Sequence, residues 1–298
     1  MVLLKERLKG IFCPMVTPTD GNDRVDEVPL RSLTQHLLRG GIHGLVVLGS
    51  SGELQSVNDD EKKRVLEIVV DEVKSSVPII MGGGDTNVKR ATQSINWANQ
   101  LGADAVLAVP PYYFNLNQEG VINYFKDLAQ TGVPILLYNI PGFTKVKIEP
   151  PTVKSLSQVD GIVGIKDSSR DFEYIQKIIF TCRENSTFRI FLGTDGLLLA
   201  GLTLGIEGVM SITPNIIPSW DLELLNAFKA GELKKAREIQ EKIGKLLEVL
   251  RIGNFPAGLK AAVASLGICS PKMWRPATEL TKSGRDQIES GLRELGIV

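Results

Sequence analysis

The sequence predicts a (β/α)8 barrel, the TIM-barrel fold, with a helical appendage at its C-terminal end. Three observations point there. Eight short apolar, β-branched runs fall before residue 213. Segments with a 3.6-residue apolar period separate them. No strand-like run follows residue 218. Helices and strands that alternate at this spacing are the pattern of an α/β fold with a parallel sheet.

The runs cover residues 11–16, 44–48, 77–81, 105–109, 133–138, 161–166, 188–192 and 208–212. They are nearly continuous in apolar residues, as expected of strands buried on both faces. Between them, residues 59–73 place Val65, Leu66, Val69, Val70 and Val73 on one side and Glu61, Lys62 and Lys63 on the other, an amphipathic helix. Residues 88–101, 118–130, 151–158, 171–183 and 195–204 read as helices in the same way. An open doubly wound sheet would alternate too. The strand number, the even spacing and the lack of a G-x-G-x-x-G turn after the first strand favour closure. Four more helices are predicted at 222–229, 232–250, 256–266 and 276–295. The expected organisation is a catalytic barrel over residues 1–230 and a helical region over 231–298.

Composition narrows the function classes. The chain has 298 residues, 43% of them apolar and 23% charged. At that length roughly 75% of the unfolded surface can be buried, so no disulfide or metal is needed to fold. Lys+Arg and Asp+Glu number 34 each, and no basic block is present, which removes the footprint of a nucleic-acid binder. No apolar run reaches the ~18 residues of a membrane span, and the first residues do not read as a secretory signal. Cys13, Cys182 and Cys269 are scattered and form no metal spacing, so a reduced, cytoplasmic setting is the simplest reading. His36 and His43, the only histidines, read as surface or packing residues rather than catalytic ones.

A barrel of this kind carries its active site at the C-terminal ends of the strands. The segments that follow the predicted strands are rich in glycine, hydroxyls and tyrosine. Lys166 stands out, because it closes the run Gly161-Ile162-Val163-Gly164-Ile165. An ammonium in an enclosed mouth is costly unless paired or neutralised. It reads either as a structural ion pair with Asp167 or another rim carboxylate, or as a Schiff-base nucleophile. Tyr138 closes the neighbouring strand and reads either as a proton relay facing Lys166 or as a core tyrosine. Gly49-Ser50-Ser51-Gly52 lies where strand two is expected to turn into a helix. It reads either as an anion cradle or as a glycine turn with a serine cap. Gly82-Gly83-Gly84 permits close backbone approach. Tyr112-Tyr113, after two prolines, reads as rim packing or as a residue directed at the site.

In this order and spacing, Gly49-Ser50-Ser51-Gly52-Glu53, Pro111-Tyr112-Tyr113, Tyr138-Asn139-Ile140-Pro141 and Gly164-Ile165-Lys166-Asp167-Ser168 resemble the pyruvate-dependent class I aldolase superfamily. That superfamily includes dihydrodipicolinate synthases, N-acetylneuraminate lyases and 2-keto-3-deoxygluconate aldolases, and the resemblance covers essentially the whole chain. It implies that Lys166 forms the Schiff base, that Tyr138 shuttles protons, and that Ser50 and Ser51 cradle the pyruvate carboxylate. It implies that Tyr113 is lent across a tight interface to a neighbouring copy in a homodimer or homotetramer. No metal or organic cofactor is implied.

Within the superfamily, Phe143 occupies the position where dihydrodipicolinate synthases carry an arginine for the second substrate's carboxylate. A phenyl ring cannot form that bidentate pair. Ser211-Ile212 replaces the Gly-Ser of neuraminate lyases. Tyr-Asn-Ile-Pro-x-Phe-Thr looks most like the 2-keto-3-deoxygluconate type. The resemblance therefore implies a lyase of carbohydrate metabolism that cleaves a 2-keto-3-deoxy sugar acid reversibly to pyruvate and an aldehyde, with Asp195 holding a substrate hydroxyl. The alternative is 4-hydroxy-tetrahydrodipicolinate synthase or another pyruvate-condensing or dehydrating member. A non-catalytic sugar-acid binder is the reading outside enzymes.

Overall fold

The computed structural model describes residues 2–298. Eight parallel strands close into a barrel in chain order: β1 (Gly10–Pro14), β2 (Gly44–Val47), β3 (Ile79–Gly83), β4 (Ala105–Ala108), β5 (Ile135–Asn139), β6 (Ile162–Asp167), β7 (Arg189–Leu192) and β8 (Gly208–Met210). Closure is made by β8 pairing with β1, Gly10 opposite Gly208 and Phe12 opposite Met210.

The strands are apolar throughout because both faces are covered. One face lines a packed interior in which Phe12, Val46, Ile80, Leu107, Leu136, Val163, Phe191 and Met210 meet. Phe12 and Phe191 pack edge-on, with ring centroids 5.3 Å apart. Leu8, with Leu4 packed against the same cluster, brings the N-terminal helix Val2–Arg7 to this interior. The other face lies under the helical ring. Helix Glu27–Arg39 buries Leu30, Leu33, Thr34 and Leu37, spaced by three and four residues. It is one of three helices not assigned from the sequence, with Val2–Arg7 and the short Pro141–Thr144, and it carries Pro29 in its first turn. Proline is tolerated in a first turn because the N–H it lacks there has no intrahelical partner.

Several boundaries differ from expectation for local reasons. The predicted strand 208–212 ends at Met210: Ser211 N–H still donates to Phe12 O at 2.9 Å, but the Ile212 and Thr213 amides donate instead to Asp195 Oδ2 at 3.0 and 3.2 Å. The predicted helix 195–204 is a 3-10 turn at Asp195–Leu197 followed by helix Leu198–Leu204. The predicted helix 276–295 starts only at Lys282, where Thr281 caps the Gly284 amide through its hydroxyl.

Beyond the ring, helix Leu233–Leu250 packs on Pro218–Lys229, and Ala257–Ser265 and Lys282–Glu294 pack on it in turn. These helices are bonded to the barrel rim. Gln240 bridges to Asp195 O and Leu199 N, and Trp274 Nε1 donates to Thr17 O at 3.0 Å. No described helix is long and apolar enough to cross a membrane.

Candidate active site

The register of β5 against β6 sets the centre. Tyr138 lies directly opposite Lys166, and Asn139 opposite Asp167. The outer pair locks the strand ends: Asn139 Nδ2 donates to Asp167 Oδ1 at 2.6 Å, and the Asn139 carbonyl accepts from Ser168 N–H at 2.8 Å. Asp167 also accepts from the Ser169 hydroxyl at 2.8 Å. Burial pushes its carboxyl up to about 6, against the pull of these hydrogen bonds.

Asp167 is therefore engaged away from Lys166, and no carboxylate pairs with the Lys166 ammonium among the described residues. The structural ion-pair reading of Lys166 fails on this geometry. Lys166 is buried, with its ammonium 4.4 Å from the centre of the Tyr138 ring. Burial alone would raise the Tyr138 hydroxyl. The Lys166 charge and hydrogen bonding with Ser168, Ser50 and Lys166 outweigh it, and Tyr138 is lowered from its ordinary value. Gly193, on the loop after β7, gives the lysine room, because a Cβ there would overlap the Ser168 hydroxyl and the Lys166 side chain.

The turn after β2 does not open a helix. An irregular series of turns runs to Val57, and the helix starts at Asp59 with Asn58 as its cap. The helix-terminus argument for an anion site at Ser50 and Ser51 is corrected accordingly. Within the turn, the N–H groups of Gly52, Glu53 and Leu54 fold back onto the carbonyls of Gly49 and Ser50. The Ser50 and Ser51 amides are not used in those bonds. Glu53 holds the turn in place: its carboxylate accepts from Lys260 Nζ at 2.5 Å and from Trp274 N–H at 3.0 Å. Gly82 lets β3 approach, since a Cβ there would overlap the Leu48 carbonyl.

A cavity of about 440 Å³ brings Ser50, Ser51, Tyr138, Lys166 and Asp195 together. A second, of about 470 Å³, adjoins it and shares Ser50, Phe143 and Phe255. Asp195 sits on the wall, but its Oδ2 accepts from the amides of Ile212 and Thr213 at 3.0 and 3.2 Å. Tyr113 lies outside both cavities. It is 82% exposed, at φ +82°, against the equally outward Phe114, while Tyr112 lines the adjoining cavity. Phe143 does line the cleft, beside Phe255, with ring centroids 6.2 Å apart.

Three lining residues escaped the sequence reading. Phe255 and Arg251 come from the region read as an appendage, and Arg170 from a loop with no motif. Lys260 escaped as well, although a lysine inside Ala257-Gly258-Leu259-Lys260-Ala261-Ala262-Val263 is a visible anomaly.

Comparison with known proteins agrees with this geometry. The model of the dihydrodipicolinate synthetase family matches residues 7–295. The 4-hydroxy-tetrahydrodipicolinate synthase of Syntrophus aciditrophicus is 36% identical over 97% of this chain and 99% of that protein. The enzyme of the same name from Methanopyrus kandleri is 34% identical over 98% of each. Among solved structures, dihydrodipicolinate synthase from Thermotoga maritima superposes with a TM-score of 0.93 at 29% identity, over 97% of this chain and 99% of that one. A prophage protein of the dihydrodipicolinic acid synthase family from E. coli K12, solved in complex with pyruvate, superposes with a TM-score of 0.94 at 28% identity, over 98% and 99%. The chain belongs to the dihydrodipicolinate synthetase family, enzymes with a lyase-type reaction.

Proposed function

We propose that the protein is a Schiff-base enzyme that joins pyruvate to an aldehyde, with 4-hydroxy-tetrahydrodipicolinate synthase as the leading assignment. The observation that carries the chemistry is the Lys166 amine, buried without a carboxylate partner and facing Tyr138 across paired strands. The synthase assignment rests on the full-length relatives of that name. It moves the emphasis from sugar-acid cleavage to what the sequence offered as the alternative.

In this reading the Lys166 amine attacks the C2 ketone of pyruvate, and loss of water leaves an iminium. Tyr138, having given its proton to the departing hydroxide, takes the C3 proton as the iminium draws electrons from C3, and an enamine forms. C3 then attacks the aldehyde carbon, the new alkoxide takes that proton from Tyr138, and hydrolysis of the iminium frees the product and the Lys166 amine. Cleavage is the same path reversed. Ser50 and Ser51 receive the pyruvate carboxylate through hydroxyls and unused amides. Holding the ketone against the amine in this way supplies several kcal/mol of the barrier. Asp195, with one oxygen committed to two backbone amides, anchors the loop after β8 rather than binding substrate. Tyr113, turned outward, serves the site of a neighbouring copy.

Phe143 favours a second reading, a 2-keto-3-deoxy sugar-acid aldolase, because it puts an aromatic face where the synthase arginine would stand. Borohydride reduction in the presence of pyruvate tests the common core: a pyruvate-derived adduct on Lys166 is expected, and none on Lys166→Arg. Product masses from pyruvate with aspartate semialdehyde and with glyceraldehyde then separate the two assignments.

A further inference from the structure

We propose that Asp195 and Asp221 share one proton through the hydroxyls of Ser211 and Thr213, and that the pair thereby keeps a single negative charge on the wall of the Lys166 cavity as counter-charge to the iminium. The proposal deepens the Schiff-base reading above and rests on it. Asp221, which touches no substrate, is a positioning residue: it fixes where the charge sits.

Proton counting carries the argument. Thr213 Oγ1 lies 2.5 Å from Asp221 Oδ2 and 2.8 Å from Ser211 Oγ. Ser211 is in turn a hydrogen-bond partner of Asp195, and of Asp221 as well. The contacts Asp195–Ser211, Ser211–Thr213 and Thr213–Asp221 therefore link the two carboxyls, and all four side chains are buried. The two hydroxyls hold one proton each. With both carboxyls ionised, at least one of the three contacts has no hydrogen, and two oxygens face each other lone pair to lone pair. One proton on a carboxyl completes the chain.

The surroundings decide which carboxyl carries it. Asp195 Oδ2 accepts from the amides of Ile212 and Thr213 at 3.0 and 3.2 Å, bonds that favour the ionised form. Asp221 Oδ1 has no partner, which suits the carbonyl oxygen of a neutral acid. Burial and the Asp195 charge lift Asp221 to about 7. The proton rests on Asp221 and the charge on Asp195, and the pair titrates as a unit. Asp195 lines the cavity with Lys166. Two residues earlier, a Cβ at Gly193 would come within 2.6 Å of Lys166 Cε. Conversion of the amine to an iminium creates a positive charge, which a fixed carboxylate on a water-poor wall stabilises.

Apart from Lys166, the groups on the packed elements are neutral, engaged or turned outward. Strand β1 brings Cys13, whose thiol burial keeps protonated and whose sulfur accepts from Asn215 Nδ2 at 3.2 Å. Helix Glu27–Arg39 turns His36 to the backbone of Pro214 and Ile216, and burial lowers it toward the neutral form. Helix Leu198–Leu204 has no titratable residue. Helices Pro218–Lys229 and Leu233–Leu250 keep their other charged side chains exposed. Around Lys166, Asp167 holds Asn139 and Ser169, and Arg170 and Arg251 are exposed.

Infrared spectroscopy of the full chain at pH 6, joined to pyruvate trapping, tests both halves. The parent spectrum minus that of Asp221→Asn should contain the C=O stretch of one protonated carboxyl. Thr213→Val, which removes the hydroxyl bonded to that acid, should shift the band. Asp195→Asn should abolish it, because the new amide supplies the missing hydrogen to Ser211 and lets Asp221 ionise. The charge then lies on Asp221, away from the cavity, and borohydride trapping at subsaturating pyruvate should slow about tenfold, one pKa unit's worth. Asp221→Asn leaves the charge on the wall and should lose far less. No such band in the difference spectrum, or a band that persists in Asp195→Asn, overturns the shared proton. Equal slowing in the two asparagine variants overturns the counter-charge. No Lys166 adduct in the parent removes the Schiff-base reading and the role given to the charge, while the infrared result still decides the proton.

Discussion

Two buried charged clusters flank the cavity, and they are fastened in opposite ways. Beside β2, Glu53 meets Lys260 at 2.5 Å, with both side chains essentially out of solvent. Burial pushes each toward its neutral form, and their mutual attraction with the Trp274 N–H bond opposes that push. Beside β8, Asp195 and Asp221 are both buried and carry the same sign. Asp221 accepts from the Thr213 hydroxyl at 2.5 Å, its Oδ1 has no partner, and burial with the nearby Asp195 charge lifts it to about 7. The β2 turn is thus held by an opposite charge from a segment 207 residues away. The β8 loop is held by backbone amides, hydroxyls and a proton. The first arrangement depends on the C-terminal helices being in place, the second on pH.

Removing one member of the opposite-charge pair is the largest perturbation. Lys260→Met leaves a buried carboxylate without its cation, which costs about 3–5 kcal/mol. Denaturant unfolding is expected to show that loss, and the surviving enzyme should show a raised pyruvate KM, because Ser50 and Ser51 share the turn with Glu53. Adding Glu53→Gln should restore part of the stability, since no unpaired charge then remains. A Lys260→Met protein as stable as the parent would mean that the covering helices, not the ion pair, fix the turn.

The like-charge cluster predicts a pH effect with a definite sign. Asp221 sits above the unfolded carboxyl value of 3.8, so the folded state binds the extra proton and stability falls as pH rises toward and through about 7. From pH 6 to 8.5 the remaining loss is about 1.4 kcal/mol, one pKa unit's worth. Asp221→Asn should flatten that slope in thermal unfolding. An unchanged slope would assign the pH dependence to other groups.

The contrast also explains what could be read from the sequence. The barrel was legible because strands covered on both faces must be apolar, and Lys166 and Tyr138 stand out at the ends of such runs. Ser50 and Ser51 were legible as a turn, but not in its geometry, because the residues that shape it, Lys260 and Trp274, arrive from more than 200 positions away. Arg251 was hidden for a different reason: exposed at the residue that follows helix Leu233–Leu250, its charge reads as ordinary solvated surface. Asp195 showed as a polar residue beside a strand. Its commitment to Ile212 and Thr213 N–H appears only once β8 ends at Met210. Local pattern thus reports burial and strand ends, whereas pairing across long separations needs the folded chain.

The smallest effect tests whether the β8 side depends on the C-terminal helices at all. Gln240, on helix Leu233–Leu250, donates to Asp195 O at 3.1 Å and accepts from Leu199 N–H at 2.9 Å. Both bonds are neutral and partly solvent-exposed, so water can replace them when the amide is removed. Gln240→Met keeps the length of the side chain and should cost about 1 kcal/mol. Neither salt nor pH should alter that cost, whereas the unpaired carboxylate left by Lys260→Met stays pH-sensitive. A loss from Gln240→Met that matches the one from Lys260→Met would show that neutral hydrogen bonds fasten the β8 loop as firmly as the ion pair fastens the β2 turn.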